Sequence, residues 1–361
     1  MRGLSRVPGY VVMQPTTLCN LDCVYCYLPL RRVDRRMPVA VARAVAADAN
    51  VWAAQGRFSV VWHGGEPLAA GREHLAALMA PFGPAVEHHV QTNATLIDDA
   101  WCAFFAERGV RVSVSVDGPE ELNGGRITRA GRPAYARIER GIAALRRHGL
   151  PFSALCVVGE PRPGVAARLY AYFLALGCDT LGVNIEEREG VNERPNGHDD
   201  TAVRAFWAEL TAAWRAEPRV HVRELEWSLR YVGAVLDDTA DGLLPRTLDP
   251  IPTIGHDGAV VLLSPELAGF DDPAYGDFSS GNVLTSPLSA LLAQPGTGWV
   301  PEFLVGIEAC RGTCPYFGFC GGGHAANRYF EHGRFDGTET EHCRNSKINL
   351  LEGVLDHVRR T

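Results

Sequence analysis

The sequence predicts an α/β protein in which a mainly parallel sheet is followed by a smaller, loop-rich second domain. Over the first 190 residues, six short β-like runs alternate with helix-length stretches rich in Ala, Leu and Arg, at about 30 residues per unit. From about residue 218, Gly, Pro and Asp become frequent and helical stretches become few. The alternation is typical of parallel strands joined by helical crossovers, but it does not separate an open sheet from a barrel.

The predicted elements follow in order along the chain, and each strand is a short run bounded by turn-forming residues. The six predicted strands are YVVMQPT (10–16), FSVVWH (58–63), VEHHVQT (86–92), VRVSVSV (110–116), FSALCVV (152–158) and TLGVNI (180–185). The five helices between them are predicted over 39–54, 72–82, 98–109, 134–149 and 165–177. A hairpin over 253–267 and a final helix near 346–360 follow. We therefore expect a first domain over 1–217 and a second over 218–361.

Composition limits the classes of function. The 361 residues are 46% hydrophobic and 21% charged, and the formal net charge is −7 with no strongly basic region, so nucleic acid is not expected as a partner. The first residues lack the long apolar run of a signal peptide, and no apolar run approaches the roughly 18 residues of a membrane span. We therefore expect a cytoplasmic protein with no membrane partner.

Ten cysteines are present, and most of them are clustered. In a reducing compartment, clustered cysteines indicate metal binding or catalysis rather than disulfides. Cys102, Cys156 and Cys178 are scattered, and we interpret them as small core residues. The other seven form two groups, which are Cys19, Cys23 and Cys26, and then Cys310, Cys314, Cys320 and Cys343.

The first cysteine group follows the first predicted strand, at the edge of a parallel sheet where ligands and catalytic groups collect. Three closely spaced thiolates can ligate three corners of a metal cluster and leave one metal position open. Structural zinc, the alternative, needs four ligands, and no nearby Cys or His pair completes the set. A four-iron cluster with one free iron fits this pattern.

The motif Cys19-x3-Cys23-x2-Cys26, with Tyr25 before the last cysteine, resembles that of the radical S-adenosylmethionine (SAM) enzymes. The resemblance implies a partial (β/α)6 TIM-like barrel with a smaller loop-rich C-terminal domain, which agrees with the six units counted above. Three further segments end the next three strands and resemble the SAM-facing loops of that family: HGGEP (63–67), QTNATL (91–96) and SVDGP (115–119).

The resemblance also implies which residues contact SAM. In HGGEP, bare glycine backbone lets carbonyl groups approach the ammonium of the methionine moiety, because no Cβ intrudes. Arg126 or Arg129 would pair with the SAM carboxylate. The residues that we expect to bind this cofactor are Tyr25, Gly64, Gly65, Glu66, Asn93, Ser115, Asp117, Arg126 and Asn184.

The second cysteine group is sufficient for one closed metal site, and a structural zinc remains an alternative there. Its spacing resembles that of radical SAM enzymes with a SPASM-type C-terminal domain, which carries auxiliary four-iron clusters. A full domain of that type holds two clusters, but the hairpin here has no cysteine and a later ligand position is occupied by His324. We therefore expect two [4Fe–4S] clusters in all, one that binds SAM and one auxiliary cluster ligated by Cys310, Cys314, Cys320 and Cys343.

Four longer segments resemble segments of the maturases that form cyclophanes in ribosomally made peptides. These segments are 184–193, 262–269, 275–283 and 314–323. The resemblance implies that a 5'-deoxyadenosyl radical abstracts a side-chain β-hydrogen and that the resulting carbon radical joins an aromatic ring of the same precursor peptide. It also implies an electron donor, either a reductase or a flavodoxin or ferredoxin. Only about nine residues precede the first strand, so leader binding is expected on the barrel, the second domain or a separate protein.

The crosslinking reaction must also release one electron and one proton. The auxiliary cluster would serve either as the electron acceptor or as a structural element. Candidate bases are Glu186 and Glu187 after the sixth strand and Glu266 after the hairpin, although carboxylates at strand ends often cap helices or pair with Arg. His63 and His324 are interpreted as structural residues rather than metal ligands.

Two other classes of function compete with crosslinking. One is a radical SAM enzyme that oxidises or modifies another peptide residue, as sulfatase-type maturases do, or a small metabolite. The missing hairpin cysteines count against the sulfatase type. The other is a non-catalytic binding protein that keeps the scaffold, and the intact first cysteine group with Gly64, Gly65 and Glu66 argues against it.

Overall fold

One ten-stranded sheet organises the chain in the computed structural model, which describes residues 3–294 and 298–360. The strands are β1 Gly3–Leu4, β2 Tyr10–Met13, β3 Phe58–Trp62, β4 Val86–Thr92, β5 Arg111–Ser115, β6 Phe152–Val158, β7 Thr180–Ile185, β8 His221–Val222, β9 Thr247–Leu248, β10 Thr253–Ile254, β11 Ala259–Val261 and β12 Ser279–Asn282. The order across the large sheet is β12-β11-β10-β2-β3-β4-β5-β6-β7-β8, and β1 pairs with β9 separately.

Helices connect the strands and cover the outside of the sheet. They are α1 Val39–Gln55, α2 Arg72–Met79, α3 Asp99–Arg108, α4 Tyr135–Arg147, α5 Val165–Leu176, α6 Asp200–Ala216, α7 Arg223–Leu236, α8 Leu288–Ala293, α9 Trp299–Thr313, α10 Phe317–Cys320, α11 Ala325–His332, α12 Glu341–Cys343 and α13 Asn349–Arg360. A π-helical turn, Arg344–Ile348, joins α12 to α13. None of the described helices is both long and apolar enough to cross a bilayer.

The six predicted strands correspond to β2–β7, and each is parallel to the next along the chain. The five predicted helices correspond to α1–α5, with bounds that agree closely with the prediction. The predicted α/β fold, a partial barrel of six β–α units with a smaller C-terminal region, is confirmed.

Side chains alternate along the barrel strands, and this alternation creates the interior space of the barrel. In β6, Phe152, Ala154 and Cys156 are buried against the helices, whereas Leu155 and Val157 are only half-buried. Strands that are covered on both faces normally read as continuous apolar runs. The half-buried residues line an open cavity instead of a filled core.

The C-terminal region is attached to the barrel at two places. Strand β10 pairs in parallel with β2, so the predicted hairpin, β10–β11, extends the barrel sheet. Helix α13 packs against α6 through Leu350 and Val354, which belong to the main hydrophobic core. The two sides of the predicted boundary at residue 217 therefore share one sheet and one helix pair.

The prediction of few helices after residue 218 was wrong. Helices α7 and α9 contain 14 and 15 residues. The predicted last helix begins with the π-helical turn and becomes regular only at Asn349. A second, smaller hydrophobic cluster packs α9 and α11 together; its largest members are Phe278, Trp299, Phe303 and Phe335.

Candidate functional site

A cavity of about 390 Å³ opens at the carboxyl ends of the barrel strands. It is lined by all three cysteines of the first group and by most of the residues that the sequence predicted for SAM binding and proton removal. The predicted residues on its wall are Cys19, Cys23, Cys26, Tyr25, Gly65, Glu66, Asn93, Ser115, Arg126, Asn184, Glu186, Glu187 and Glu266. Gly64 and Asp117 are not on the wall and lie behind it.

The loop that carries the first cysteines is held by backbone hydrogen bonds and by arginines. Cys19 N donates to Arg31 O at 2.8 Å, and Cys26 N donates to Cys23 O at 3.1 Å. The Arg31 guanidinium pairs with Asp22 at 2.8 Å, within the loop. Arg129 Nε donates to the Cys19 carbonyl at 2.9 Å. The loop therefore has a defined shape before any cluster binds.

The glycine turn after β3 packs directly on this loop. Gly65 has φ +61°, and a Cβ built on it would lie 2.5 Å from the Leu18 carbonyl oxygen. Gly64 has φ +92° and is crowded by the Gln14 side chain. The positive φ favours glycine at both positions, and at Gly65 a side chain would also separate the turn from the cysteine loop.

Glu66 connects the glycine turn to the end of β4. Its buried carboxylate accepts hydrogen bonds from Leu68 N at 3.0 Å, Thr92 Oγ1 at 2.7 Å and Asn93 N at 2.8 Å. Burial raises the pKa of Glu66, and these three donors oppose that rise. Glu66 is thus fixed on the cavity wall with its carboxyl group oriented by the turn and by β4.

Asp117 anchors two of the predicted cofactor residues from behind. Its Oδ1 accepts from Arg126 Nη2 at 2.8 Å, and its Oδ2 accepts from the Tyr25 hydroxyl at 2.5 Å. The Arg126 guanidinium lies 5.6 Å from the centre of the Tyr25 ring. Asp117 therefore positions Tyr25 and Arg126 rather than facing the cavity itself.

The structure distinguishes the two arginines that were candidates for the SAM carboxylate. Arg126 is 6% exposed and lines the cavity, and its Nε has no hydrogen-bond partner among the described residues. Arg129 uses its guanidinium on the carbonyl oxygens of Cys19 and Arg31. A buried Arg that lines a cavity and has an N–H without a partner is suited to an anionic ligand.

Three polar side chains complete the barrel wall. Ser115 Oγ accepts from Gln91 at 2.7 Å, and Asn184 Oδ1 accepts from Arg223 Nη2 at 2.7 Å. Asn93 Nδ2 donates to Asn20 at 2.9 Å and lies 3.8 Å from the Cys19 sulfur. The ends of β4, β5 and β7 thus each present one hydrogen-bonding side chain to the same space.

The donor set fits a SAM-binding four-iron cluster. Burial raises the pKa of Cys19 to about 12 and that of Cys23 to about 11, so these thiols are neutral until a metal binds them as thiolates. Within residues 3–294 and 298–360, no three His, Cys, Asp or Glu side chains converge on a single metal ion. The fit rests on the shared wall of three thiols, the glycine turn and the unpartnered Arg126 Nε.

A cluster of carboxyl groups lies across the cavity, where the barrel meets the C-terminal region. Glu187 Oε2 accepts from Asn327 at 2.7 Å, and the same amide donates to Glu189 Oε1 at 2.7 Å. His342 Nδ1 lies 3.1 Å from Glu187 Oε1, without the alignment of a hydrogen bond. Glu266 also lines this part of the cavity.

These carboxyl groups titrate differently because their surroundings differ. Burial would raise the pKa of Glu187, but His342 and Asn327 outweigh it and hold the pKa well below its usual value. Burial and repulsion from Glu187 raise the pKa of Glu189 far above its usual value. Burial raises the pKa of Glu266 to about 7. Glu266 is thus the carboxyl group whose proton equilibrium lies nearest neutrality, as a general base requires.

Glu186 has different partners from the other carboxylates. Its carboxylate pairs with Arg194 at 3.2 Å and accepts from Asn192 at 3.3 Å. The ion pair satisfies the negative charge of Glu186. Of the three candidate bases, Glu186 is therefore the one that pairs with an arginine.

The second cysteine group lines another cavity, together with His324 and Arg328. Cys310 ends up on α9, Cys320 on α10 and Cys343 on α12. The pKa of Cys320 is lowered, mainly by a hydrogen bond from the Cys343 thiol, which outweighs the effect of burial.

Arg328 indicates a negative charge at this second site. It is 1% exposed, and its Nη2 lies 3.3 Å from the Cys310 sulfur. Its other hydrogen bonds go to carbonyl oxygens, including Phe335 O at 3.1 Å, and it lies over the Phe303 ring, but no carboxylate within the described ranges pairs with it. A buried cation without a counter-ion is costly, so thiolates that ligate a metal would complete the site.

Sequence reasoning missed several residues of the main cavity. Tyr27 and His63 line it, with Tyr27 OH 2.9 Å from His63 Nε2, and Glu189 and His342 belong to the carboxyl cluster. The alternation of Glu187 and Glu189 in the segment after β7 was a signal for the latter. Nothing in the sequence placed His342 there, since it approaches through the packing of the C-terminal region.

Known proteins resemble this chain over the barrel and beyond it. The family model for the Radical SAM superfamily matches residues 13–164. An uncharacterized protein of Synechocystis sp. is 34% identical, and the alignment covers 96% of this chain and 90% of that protein. The serine-type anaerobic sulfatase-maturating enzyme of Klebsiella aerogenes is 36% identical over 49% of this chain and 46% of the enzyme.

Solved structures share the fold over almost the whole chain. The structure of anSMEcpe with bound AdoMet and the Cp18Cys peptide has a TM-score of 0.75 and 20% identity, covering 97% of this chain and 98% of that one. Streptococcus suis SuiB bound to its precursor peptide SuiA has a TM-score of 0.60 and 15% identity, covering 80% and 65%. Residues 13–164, which carry the three-cysteine loop and the strand ends around it, therefore form a Radical SAM domain.

Proposed function

We propose that the protein is a maturase of a ribosomally made precursor peptide and that it joins a side-chain β-carbon to an aromatic ring of the same peptide. The observation that carries the proposal is the single cavity that joins the three-cysteine loop to the carboxyl cluster. Peptide substrates are supported by anSMEcpe and SuiB, whose structures contain a peptide and a precursor peptide.

Radical SAM enzymes use SAM and a [4Fe–4S] cluster, which together supply, when bound, a radical that removes a hydrogen atom from an unactivated carbon. Cys19, Cys23 and Cys26 would hold the cluster. The glycine turn and Arg126 would orient the amino and carboxylate groups of SAM. The half-buried barrel residues would exclude water from the space above.

The chain must also accept the proton that leaves the aromatic ring after the bond forms. Glu266 is suited to this, because burial raises its pKa to about 7 while Glu187, close by, stays ionised. Glu186 remains a second candidate, paired with Arg194. The electron lost with that proton requires a one-electron acceptor.

A second [4Fe–4S] cluster, held by Cys310, Cys314, Cys320 and Cys343, would be able to supply that one-electron chemistry or to act as a structural element. Arg328 against Cys310 supports a charged metal site there. An external reductase, or a flavodoxin or ferredoxin, is part of the proposal as the electron donor. So are a cytoplasmic location and the division into a barrel over 1–217 and an auxiliary-cluster region over 218–361.

A second candidate is the oxidation of a Ser or Cys side chain to an aldehyde. It is favoured by the 36% identity to the Klebsiella aerogenes sulfatase-maturating enzyme over the barrel half of the chain. Sulfatase-type maturases normally carry a second auxiliary cluster, which needs cysteines around the hairpin. Because β10 and β11 contain no cysteine, they argue against this candidate.

The test uses the reconstituted enzyme and a synthetic copy of any short peptide encoded beside its gene. Crosslinking removes two hydrogen atoms, leaves no aldehyde, and prevents fragmentation between the two joined residues in tandem mass spectrometry. Oxidation of Ser removes the same mass but gives a product that reacts with hydrazide reagents and fragments normally. A peptide that keeps its mass while SAM is cleaved contradicts both candidates.

A further inference from the structure

Lys347 is the only lysine among the 361 residues, against 34 arginines. It lies on the π-helical turn Arg344–Ile348 and lines the main cavity. A π-helical turn inside a helix is rare and occurs frequently at functional sites, because it redirects side chains at some cost in hydrogen bonding. The turn places Ser346 and Lys347 on the same wall as the carboxyl cluster.

The Lys347 ammonium lies 5.0 Å from the centre of the Trp227 ring. Trp227 is on α7, is 45% exposed and also lines the cavity. Arg223 lies over the same ring at 5.2 Å. The cation–π contact partly offsets the cost of withdrawing an ammonium group from water, and it fixes Lys347 at the rim.

The other permanent cations of this cavity have counter-ions. Arg126 pairs with Asp117 at 2.8 Å, and Arg223 pairs with Glu224 at 2.5 Å. Lys347 differs, since no described carboxylate lies within 4.0 Å of its ammonium group. Its charge is therefore available to an incoming anion at the cavity wall.

The positive charge of Lys347 is complementary to a negatively charged group of the substrate. Among the described residues, six glutamates line the same cavity, and its two arginines are each paired with a carboxylate, so Lys347 is the cation of this wall that is free to attract a carboxylate of the peptide. A cation without a counter-ion at this place therefore favours one position and one orientation of such a peptide.

We infer that Lys347 binds a carboxylate of the precursor peptide, from an Asp or Glu side chain or from the C-terminus, and so fixes the modified segment in the cavity. The inference rests on the proposed function. A competing role is electrostatic: Lys347 would stabilise thiolates of the second cysteine group, since it favours the ionised form of Cys320.

The first experiment uses the fact that an amine-directed acylating reagent can label only Lys347 and the N-terminal amine. The holoenzyme is acetylated in the presence of SAM with and without the precursor peptide, and each site is quantified by peptide mapping. We expect the peptide to slow labelling of Lys347 about tenfold or more, with the N-terminal amine as the internal reference.

Two altered peptides identify the carboxylate. One has a C-terminal carboxamide, and the other has Asn or Gln in place of each Asp or Glu. We expect one of the two to lose the protection of Lys347, and that result names the source of the carboxylate. Equal protection by all three peptides overturns the inference.

Kinetics of Lys347→Met and Lys347→Arg give the second readout. Loss of one charge-assisted contact is expected to raise the apparent KM for the peptide by about tenfold to hundredfold in Lys347→Met, with substantial rescue in Lys347→Arg. Arg43→Met removes an exposed cation on α1 and should leave KM unchanged.

The outcomes separate this inference from the proposed function. If wild-type enzyme cleaves SAM but does not modify the peptide, the proposed function fails and the inference with it. If the peptide is modified but Lys347→Met keeps a wild-type KM, only the inference fails. A Lys347→Met enzyme with a wild-type KM and a changed spectrum of the second cluster would assign the lysine to that cluster.

Discussion

The two cysteine groups lie in regions with different surroundings. Cys19, Cys23 and Cys26 lie on one loop beside a cavity of about 390 Å³, whose wall is made by strand ends of the barrel. The second group is spread over α9, α10, α12 and the link between α9 and α10, and residues that follow α10 complete the wall of its cavity. Three thiols beside an open space leave room for a ligand, whereas four enclosed thiols are typical of a closed site.

Each region contains a buried arginine, and the partners of the two arginines show the same difference between the regions. Arg126 beside the first group lines the cavity and pairs with the carboxylate of Asp117, and its Nε has no hydrogen-bond partner among the residues that the structure describes. Arg328 beside the second group contacts carbonyl oxygens and the Cys310 sulfur. One region is therefore arranged to receive a ligand, and the other is arranged to balance the charge of its own thiolates.

The largest expected effect concerns the first group. Replacement of Cys19, Cys23 or Cys26 by Ala should abolish reductive SAM cleavage and lower the iron content from about eight to about four atoms per chain. Anaerobic iron and sulfide assays and chromatographic detection of 5'-deoxyadenosine check this. Cys102→Ala, in a buried thiol of α3, is the control. SAM cleavage that persists in the Ala variants would show that the first cysteine group does not form the SAM-binding site.

Replacement of Cys310 by Ala should produce the complementary result. We expect the iron content to fall to about four atoms while SAM cleavage continues and the modified peptide is lost. Iron and zinc analysis with product mass spectrometry measures this, and a melting curve controls for unfolding. Zinc in the wild-type protein, or loss of SAM cleavage equal to that of Cys19→Ala, would contradict the assignment.

Glu266→Gln tests the proton-accepting part of the open cavity. We expect product formation to slow by about 10²–10⁴-fold with SAM cleavage retained. A base must be ionised, so wild-type product formation should rise as the pH approaches the Glu266 pKa of about 7 and level off above it. Glu187, Glu189, Tyr27 and His342 are the other titratable groups near Glu266.

Glu226→Gln, at an exposed position of α7, is the matched control for this carboxylate. It should leave both the rate and the pH profile of product formation unchanged. A Glu266→Gln enzyme with a wild-type rate, or a wild-type profile that falls between pH 6 and 8, would remove Glu266 from the mechanism.

The smallest expected effect is on stability, and it distinguishes steric crowding at a glycine from the strain of its positive φ. Gly65 and Gly109 both have φ +61°, but a Cβ would lie 2.5 Å from Leu18 O at Gly65 and in open space at Gly109. We expect Gly65→Ala to lower the free energy of unfolding by about 1–3 kcal/mol more than Gly109→Ala does. Denaturant melts of both variants measure the difference, and equal destabilisation would show that the cysteine loop tolerates displacement.

The barrel was predictable because its signals are local. Runs such as FSALCVV are short and mostly apolar and contain residues that favour strands, and the predicted span 152–158 is the observed β6. Helix α9 was missed because it contains Pro301, Gly306 and Gly312, which usually indicate loops. The pairing of β10 with β2 was not predictable, since it joins two-residue segments about 240 positions apart.

The site shows the same division between local and long-range information. Glu66 and Asn93 were predicted because their segments resemble the SAM-facing loops of the radical SAM enzymes, and parallel strands bring such segments together at their carboxyl ends. Asp117 belongs to such a motif, yet it points behind the wall toward Tyr25 and Arg126. His342 and Lys347 reach the cavity only because α13 packs on α6, which no local pattern encodes.

The hairpin that extends the sheet has a consequence for any shortened form of the protein. Val12 N and Gln14 N donate to Pro252 O and Ile254 O, at 2.8 and 3.0 Å, so β2 is an interior strand only while residues 250–261 are present. A barrel cut off near residue 217 would expose β2 as a bare edge and uncover the apolar face of α6. Such an edge is a template for intermolecular pairing, so the excised barrel should aggregate rather than persist as a smaller enzyme.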